Sequence, residues 1–346
     1  LDGAAADWLP AVVGVELVLG GADTRLRVEL LWRTDAGALR QVRSHWQARW
    51  TGPEPARLAR LVVVDFEETE SPEPLFRDVT AAVLGENASY ARQIQVPLTR
   101  WAATLDAALG VSIIGHEGLA LGDADGDGLE DLYVCQSGGL PNLLYLRRPD
   151  GTAVDVSADA GVDWLDACRS ALFADLDGDG DQDLVVEADP ELLILENAGP
   201  ARFTPVATVR APATTSLSAA DADNDGDLDL YACAYVQPDA SERVPLPYHD
   251  ANNGRRNTYL QNETRDGVWS FVDATLAVGL DQNNRRFSFA AAWEDYDGDG
   301  DQDLYVANDF GRNNLYRNDG RPGEARFVDV AALAGVEDMA AGMGVT

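Results

Sequence analysis

The chain contains the segment Asp295-Tyr-Asp-Gly-Asp-Gly-Asp-Gln-Asp303, which runs directly into the apolar residues Leu304-Tyr-Val306. This arrangement occurs four times. The other copies are Asp123-Ala-Asp-Gly-Asp-Gly-Leu-Glu-Asp131, Asp175-Leu-Asp-Gly-Asp-Gly-Asp-Gln-Asp183 and Asp221-Ala-Asp-Asn-Asp-Gly-Asp-Leu-Asp229. Carboxylates held close together repel one another, so four such clusters in one chain indicate that a cation neutralises each of them.

The spacing of the aspartates indicates which cation. Positions 1, 3, 5 and 9 are Asp in every copy, and position 6 is always Gly, which lets the backbone turn sharply around a centre. Hard oxygen donors in a flexible loop suit Ca²⁺, which takes about six to eight oxygens. We predict about four structural Ca²⁺ ions, with position 7 contributing its backbone carbonyl. The predicted ligands are Asp123, Asp125, Asp127, Leu129, Asp131, Asp175, Asp177, Asp179, Asp181, Asp183, Asp221, Asp223, Asp225, Asp227, Asp229, Asp295, Asp297, Asp299, Asp301 and Asp303.

The loops differ from EF-hands at position 12. An EF-hand requires a bidentate Glu there, whereas these loops have Val134, Val186, Ala232 and Val306. The residues after each loop favour a strand rather than a helix. Solvated acidic turns are the alternative interpretation, and four copies in the same register favour metal binding over it.

The loops belong to a longer repeat. They begin at residues 123, 175, 221 and 295, and an insertion at about 237–254 lengthens the last interval. Each loop is preceded by one strand-like run and followed by three, of which Phe271-Val-Asp273 is a typical last one. Four-stranded units with a period of about 40–55 residues are typical of β-propeller blades. We expect a mainly β chain in which residues 116–346 form four blades and, from Gly342, the start of a fifth. Such a set is an incomplete ring or a fragment of a longer protein.

The sequence before the repeats has a different pattern. Three amphipathic runs at 26–32, 39–50 and 58–66 predict a small antiparallel-sheet α+β domain over residues 1–74. Residues 75–115 are predicted to hold a strand at 75–80, which resembles the last strand of a repeat, and a linker helix at 97–109.

Composition limits the classes of partner. The chain has 26 basic and 59 acidic residues, a net charge of −33, which disfavours nucleic acid and anionic membranes. No apolar stretch is long enough to insert into a membrane. The first residue is Leu1 rather than Met, so we expect a processed or trimmed terminus. Cys135, Cys168 and Cys233 are interpreted as buried free thiols, with a Cys135–Cys168 bridge as the alternative.

The stretch from Phe287 to Asn318 resembles a known family. It is similar to the FG-GAP/VCBS repeats of integrin α-subunit propellers, and within them to bacterial relatives of cartilage acidic protein, which often carry an ASPIC/UnbV module. The resemblance covers about residues 75–346. It implies a β-propeller whose Ca²⁺ loops brace one face, with a protein or glycan partner on the opposite face. This chain has fewer complete repeats than the rings of that family, and no ASPIC/UnbV module is visible.

Motifs for catalysis are missing from the sequence. There is no phosphate-binding loop, no GxSxG, no HExxH and no CxxC. The insertion offers a candidate ligand site of polar and aromatic residues, namely Tyr248, His249, Asp250, Asn252 and Asn253. We therefore expect a non-catalytic, calcium-stabilised scaffold for interaction or adhesion, located in the extracellular space, at the cell surface or in the periplasm. The alternatives are a carbohydrate-binding or carbohydrate-active propeller with its site near residues 237–254, and an enzyme whose active site lies beyond this sequence.

Overall fold

Strands are the main regular structure in the described part of the chain. The computed structural model describes residues 12–20, 23–34, 38–51, 57–71, 76–104, 117–235, 250–338 and 342–345. The chain divides into two units, Leu1–Val79 and Thr80–Thr346, and each is described by itself.

The first unit contains one antiparallel sheet of four consecutive strands. These are β1 (Val12–Gly20), β2 (Asp23–Arg33), β3 (Leu39–Thr51) and β4 (Arg57–Ser71). Strand β3 alternates as the sequence predicts, because Val42, Ser44 and Ala48 are buried while Arg43 and His45 are exposed. The three predicted strands are present and longer than expected, and β1 was not predicted. All elements in the described part of this unit are strands.

The second unit contains four antiparallel sheets, each made of four consecutive strands. This confirms the predicted division into four-stranded units. The first sheet is β5 (Leu119–Gly122), β6 (Asp131–Val134), β7 (Leu143–Arg147) and β8 (Ala153–Asp155); the second is β9 (Ala171–Ala174), β10 (Asp183–Ala188), β11 (Glu191–Asn197) and β12 (Phe203–Arg210); the third is β13 (Thr214–Ala220), β14 (Asp229–Ala234), β15 (Thr258–Asn262) and β16 (Phe271–Asp273); the fourth is β17 (Ser288–Glu294), β18 (Asp303–Asn308), β19 (Asn314–Asn318) and β20 (Phe327–Asp329).

Apolar side chains pack between successive sheets. The first strands of neighbouring sheets contact one another, β5 with β9, β9 with β13 and β13 with β17. Tyr133 of the first sheet meets Phe173 of the second edge to face, with ring centroids 6.5 Å apart, and Tyr231 of the third sheet meets Trp293 of the fourth in the same way. A sheet in this series therefore buries its faces against its neighbours. Within the described residues the series does not close into a ring.

Helices in the described residues are few and short. They are α1 (Thr80–Leu84), a π-helical turn (Tyr90–Ile94), α2 (Leu98–Thr104), α3 (Ser157–Ala160) and α4 (Ala331–Ala334). No helix in the described part of the chain is long and apolar enough to cross a bilayer. Helix α2 occupies the first part of the linker helix predicted at 97–109, and residues 105–109 of that prediction lie outside the described residues.

Two predicted end strands are not formed. Residues 76–79 have no regular structure and Thr80 begins α1, while residues 342–345, expected to open a fifth unit, form no strand. Residues 342–345 contact the fourth sheet without forming a ladder: the Gly342 N–H donates to the carbonyl of Asn308, the last residue of β18, over 3.1 Å. The segment after α1 instead packs on the first sheet, because the Asn87 side chain donates to the Ala153 carbonyl (2.8 Å) and accepts from the Asp155 N–H (2.9 Å).

The three cysteines are buried and carry free thiols. Cys135 and Cys168 lie in the core between the first two sheets, with their Sγ atoms 2.7 Å apart. Cys233 lies in a separate core between the third and fourth sheets.

Candidate metal centre

Each aspartate loop joins the first strand of a sheet to the second. The loops therefore follow β5, β9, β13 and β17, and in an antiparallel meander these four turns lie at the same end of their sheets. We call this the loop end of the strands. The other end carries the turn between the second and third strands and the connection to the next sheet.

The carboxylate at position 1 organises every loop in the same way. Its Oδ2 accepts the backbone N–H of the position-6 glycine, over 2.9 Å from Gly128 to Asp123 and over 3.0 Å from Gly300 to Asp295. The equivalent bonds in the second and third loops are both 3.1 Å long. The position-6 glycines have φ between +86° and +102°, a conformation that side chains with a Cβ rarely adopt. The glycine is thus required by the turn that wraps the backbone around position 1.

Carboxylate oxygens converge inside each loop. Three side chains per loop place one oxygen each within 4.8 Å of the others. The converging sets are Asp123, Asp125 and Asp127; Asp175, Asp177 and Asp183; Asp221, Asp223 and Asp225; and Asp295, Asp297 and Asp299. Oxygens at this separation can ligate one hard cation, whose bonds to oxygen are about 2.3–2.6 Å long for Ca²⁺.

The position-9 aspartates are buried and hold the loop to the sheet. In the second loop, Asp183 accepts the N–H of Leu176 (2.9 Å) and the N–H of Asn197 on the third strand (3.0 Å). The same pair of bonds occurs at Asp131, Asp229 and Asp303. Burial raises the pKa of Asp183 and Asp229 to about 7. These carboxylates therefore resist ionisation unless positive charge is supplied nearby.

The aspartate side chains at position 7 show that a cation fits the loop. Asp181, Asp227 and Asp301 each have a buried Oδ1 that accepts no hydrogen bond from any described residue. Burial, followed by the neighbouring aspartates, raises the pKa of Asp181 and of Asp301 to about 6. A buried carboxylate oxygen without a donor is costly, and a cation in the loop would satisfy it. The donor set therefore fits Ca²⁺.

This geometry changes the expected role of position 7. The sequence suggested only a backbone carbonyl there, because the first loop has Leu129 at that position. In the other three loops the aspartate side chain is itself available as an additional oxygen ligand. The first loop lacks that carboxylate.

The third loop contains a guanidinium that sequence reasoning missed. Arg265, in the turn between β15 and β16, contacts Asp227 through Nη1 and Asp225 through Nη2, the latter at 2.6 Å. Gln261 also donates to Asp223 Oδ2 at 2.9 Å. Arg265 and Gln261 thus contact three of the five predicted ligands in this loop, and Arg265 is itself a cation. Arg265 lies 36 residues after the loop in the sequence, so the pattern of the loop gave no sign of it.

Replacement of Arg265 should strengthen calcium binding at the third loop. We expect Arg265→Ala to raise the affinity of that site roughly several-fold, because the ion pairs are partly exposed and their competition with calcium is modest. Isothermal titration with Ca²⁺ measures the change. Arg321→Ala is the matched control, since Arg321 occupies the equivalent turn of the fourth sheet but pairs with Glu324. An affinity that is unchanged or lowered in Arg265→Ala would show that the guanidinium does not compete with the ion.

Each of the first three loops is connected to the next sheet by one buried asparagine. The side-chain amide of Asn197 donates to the Ala124 carbonyl of the first loop (2.9 Å), Asn262 to Leu176 of the second (2.7 Å). Asn318 donates to Ala222 of the third loop over 2.8 Å. We call these three residues the seam asparagines. Their sequence signal was an Asn ending the third strand of three repeats, where the first repeat has Arg147.

Of the five residues predicted as a ligand site in the insertion, Asp250, Asn252 and Asn253 lie among the described residues. Tyr248 and His249 lie outside the described residues. The carboxylate of Asp250 is 3.3 Å from Arg312 Nε, and Asn252 accepts the backbone N–H of Arg285 over 3.1 Å. Asn253 lies next to Asn252 and is half-buried. Asp250 and Asn252 thus make contacts that hold neighbouring segments together.

Comparison with protein families identifies the repeat. The model of the FG-GAP-like repeat matches residues 123–186 and 295–346, which include the first, second and fourth aspartate loops. Cartilage acidic protein 1 of Xenopus tropicalis is 30% identical over 207 residues, which is 56% of this chain and 29% of that protein. Cartilage acidic protein 1 of Homo sapiens is 33% identical over 126 residues, which is 34% of this chain and 19% of that protein.

Known structures resemble the chain more distantly. A lectin from Agrocybe aegerita that recognises non-reducing terminal N-acetylglucosamine aligns with a TM-score of 0.38 and 18% identity, covering 64% of this chain and 52% of the lectin. The chain spans less than a third of the length of the two curated relatives. The chain carries FG-GAP-like repeats and is weakly homologous to cartilage acidic protein 1.

Proposed function

We propose that this chain is a calcium-stabilised extracellular scaffold that binds a protein or glycan partner and is not an enzyme. In this proposal the four sheets are blades of a β-propeller. The observation that supports it is the recurrence of one loop at the same end of four sheets: carboxylates converge in all four loops, and three of the loops also hold a buried carboxylate oxygen without a donor.

In this proposal the aspartates bind the calcium ion, and the bound ion stabilises the fold. Bound Ca²⁺ supplies positive charge that offsets the repulsion among the loop carboxylates. The carboxylates at positions 1 and 3 provide oxygens in every loop, joined by position 5 in the first, third and fourth loops and by position 9 in the second; the position-9 carboxylate also fixes the loop to the sheet. Since a loop is anchored to its own sheet and to the next, binding energy becomes folding energy.

An extracellular location is consistent with the net charge of the chain and with the calcium present outside cells. Extracellular calcium modules commonly bind with dissociation constants of about 10⁻⁴–10⁻³ M, so the calcium outside cells would load them. The net charge of −33 disfavours nucleic acid and anionic membranes as partners. Because the loop end carries the proposed calcium sites, we propose that the partner binds at the other end of the strands.

We further propose a domain organisation for the chain. Residues 1–74 form a separate sheet domain, residues 75–115 a connecting segment, and residues 116–346 the propeller repeats. The described strands of the first sheet and the start of α1 at Thr80 are consistent with this division.

The scaffold proposal predicts calcium-dependent capture of a partner. The full chain, immobilised in millimolar Ca²⁺, is expected to retain a partner from panels of matrix proteins and glycans, and to release it when EGTA removes the ion. Refolding in Ca²⁺ should restore capture. A chain that binds no member of either panel in Ca²⁺, or that hydrolyses a glycan, would contradict the proposal.

A further inference from the structure

An arginine-lined cleft lies at the end of the strands opposite the aspartate loops. It has a volume of about 210 Å³ and is lined by Arg210, Pro212, Arg255, Arg256, Thr258 and Arg285. These residues come from three chain segments: the end of β12 and its connection to β13, the segment before β15, and the segment before β17. We call it the arginine cleft.

The charge of the cleft is opposite to that of the protein. All 26 basic residues are arginines, against 59 acidic residues, yet four arginines line this one cleft. Within the described residues, two carboxylates are near them. Arg256 forms a bidentate pair with Asp273, and Glu191 lies opposite Arg210 in the register of β11 and β12. The described lining of the cleft therefore has more cations than carboxylates.

Two of the four guanidiniums are available to a ligand. Arg210 and Arg285 are exposed, and neither forms an ion pair with any residue in the described ranges. Guanidinium groups bind carboxylate and sulfate-type oxyanions through paired N–H donors, and removing such partners from water strengthens the interaction. Two unpaired arginines at one cleft thus point to an anionic group.

The backbone that carries these arginines is held in place. The Gly254 N–H donates to the Arg285 carbonyl over 2.8 Å, and the Asn257 N–H donates to Asn284 Oδ1 over 3.0 Å. Asn284 in turn donates its amide to the Asn257 carbonyl over 3.1 Å. A Cβ at Gly254 would meet the Arg285 carbonyl oxygen at 3.0 Å, so the close approach of the segments depends on glycine. A preorganised site loses less entropy when it binds its ligand.

We propose that the arginine cleft binds the carboxylate or sulfate group of an acidic saccharide. The proposal rests on the proposed scaffold function and names the ligand class for its partner-binding end. The small volume suits one charged sugar unit, and a net charge of −33 opposes the approach of long polyanions. Pro212 and Thr258 add an apolar edge and a hydroxyl, which match the mixed surface of a sugar ring.

The test compares the binding of acidic sugars with that of a neutral sugar of similar ring structure. Ligand-observed NMR titrations of the calcium-loaded full chain would use N-acetylglucosamine 6-sulfate, N-acetylglucosamine, glucuronic acid and an oligoglutamate peptide. We expect both acidic sugars to bind and the neutral sugar to bind at least about tenfold more weakly, since paired guanidinium bonds supply most of the affinity. Added salt should weaken the binding.

Variants locate the site. The double variant Arg210→Gln/Arg285→Gln is expected to lose about tenfold in affinity for the acidic sugars. Arg202→Gln is the matched control, because Arg202 is an exposed arginine in the turn between β11 and β12 at the loop end. Melting curves should be the same for all three proteins, since the substituted side chains are exposed.

The outcomes separate this inference from the scaffold proposal. If the chain captures a neutral glycan or a protein but binds no acidic sugar, the cleft inference is overturned and the scaffold proposal is retained. Equal binding of oligoglutamate would overturn the saccharide class, and unchanged affinity in the double variant would overturn the location. Binding of no sugar and no panel member would overturn both proposals.

Discussion

Removal of calcium is expected to lower the melting temperature of the second unit by roughly 10 °C or more. A site loaded at ten times its dissociation constant contributes about 1.4 kcal/mol, so four sites contribute several kcal/mol. For units of this size each kcal/mol shifts the midpoint by about 2–4 °C. Differential scanning calorimetry in millimolar Ca²⁺ and in EGTA measures the shift.

The chain offers an internal control for this experiment. Residues 1–79 contain no aspartate loop, so a transition of that unit should not respond to EGTA. Mg²⁺ should not restore the second unit, because it demands a tighter octahedral geometry and keeps more of its own water. A melt of the second unit that is identical with and without Ca²⁺ would rule out structural calcium.

Substitution of Asp229 by Ala is expected to cost about 3–5 kcal/mol in the free energy of unfolding. The buried carboxylate accepts three hydrogen bonds, from the Asn262 N–H (2.8 Å), the Tyr259 hydroxyl (2.6 Å) and the Ala222 N–H (3.2 Å). Alanine would leave three buried donors without an acceptor, and each such donor costs about 1–3 kcal/mol. Urea unfolding monitored by circular dichroism measures the loss.

Two further variants make the Asp229 result interpretable. Asp229→Asn keeps one oxygen acceptor and should lose less stability, while Glu263→Ala removes an exposed carboxylate nearby and should change little. The experiment is repeated in EGTA, where most of the Asp229→Ala loss should persist because the three donors are protein groups. A loss that disappears in EGTA would show that Asp229 acts only through the ion.

Structural features that depend on residues close together in the chain could be predicted from the sequence. Aspartates at fixed spacing around Gly128, Gly180, Gly226 and Gly300 indicate the loops, and the β-forming runs beside them indicate the four strands of each sheet. These features are local, because a turn with positive φ favours glycine, and a strand either alternates between buried and exposed residues or is buried on both faces. Sequence reasoning therefore located the loops and counted the sheets correctly.

Features that join distant parts of the chain were missed. Arg265 enters the third loop from a later turn, and the seam asparagines contact the loop of the preceding sheet, 73 to 96 residues earlier. Such contacts depend on how one sheet lies against the next, which periodicity within a repeat does not specify. The end segments at 76–79 and 342–345 were predicted as strands from similarity to other repeats, but a strand also requires a partner with which to pair.

The seam asparagines have a consequence for how calcium sites respond to one another. The first loop is tied to the second sheet through Asn197, the second to the third through Asn262, and the third to the fourth through Asn318. Each bond links only adjacent members of the row, as in linear arrays whose stability is a sum of nearest-neighbour terms. We expect Ca²⁺ in one loop to stabilise the sheet that carries the next loop, so calcium uptake should be cooperative along the row, and an empty interior loop should weaken binding in the loops on both sides.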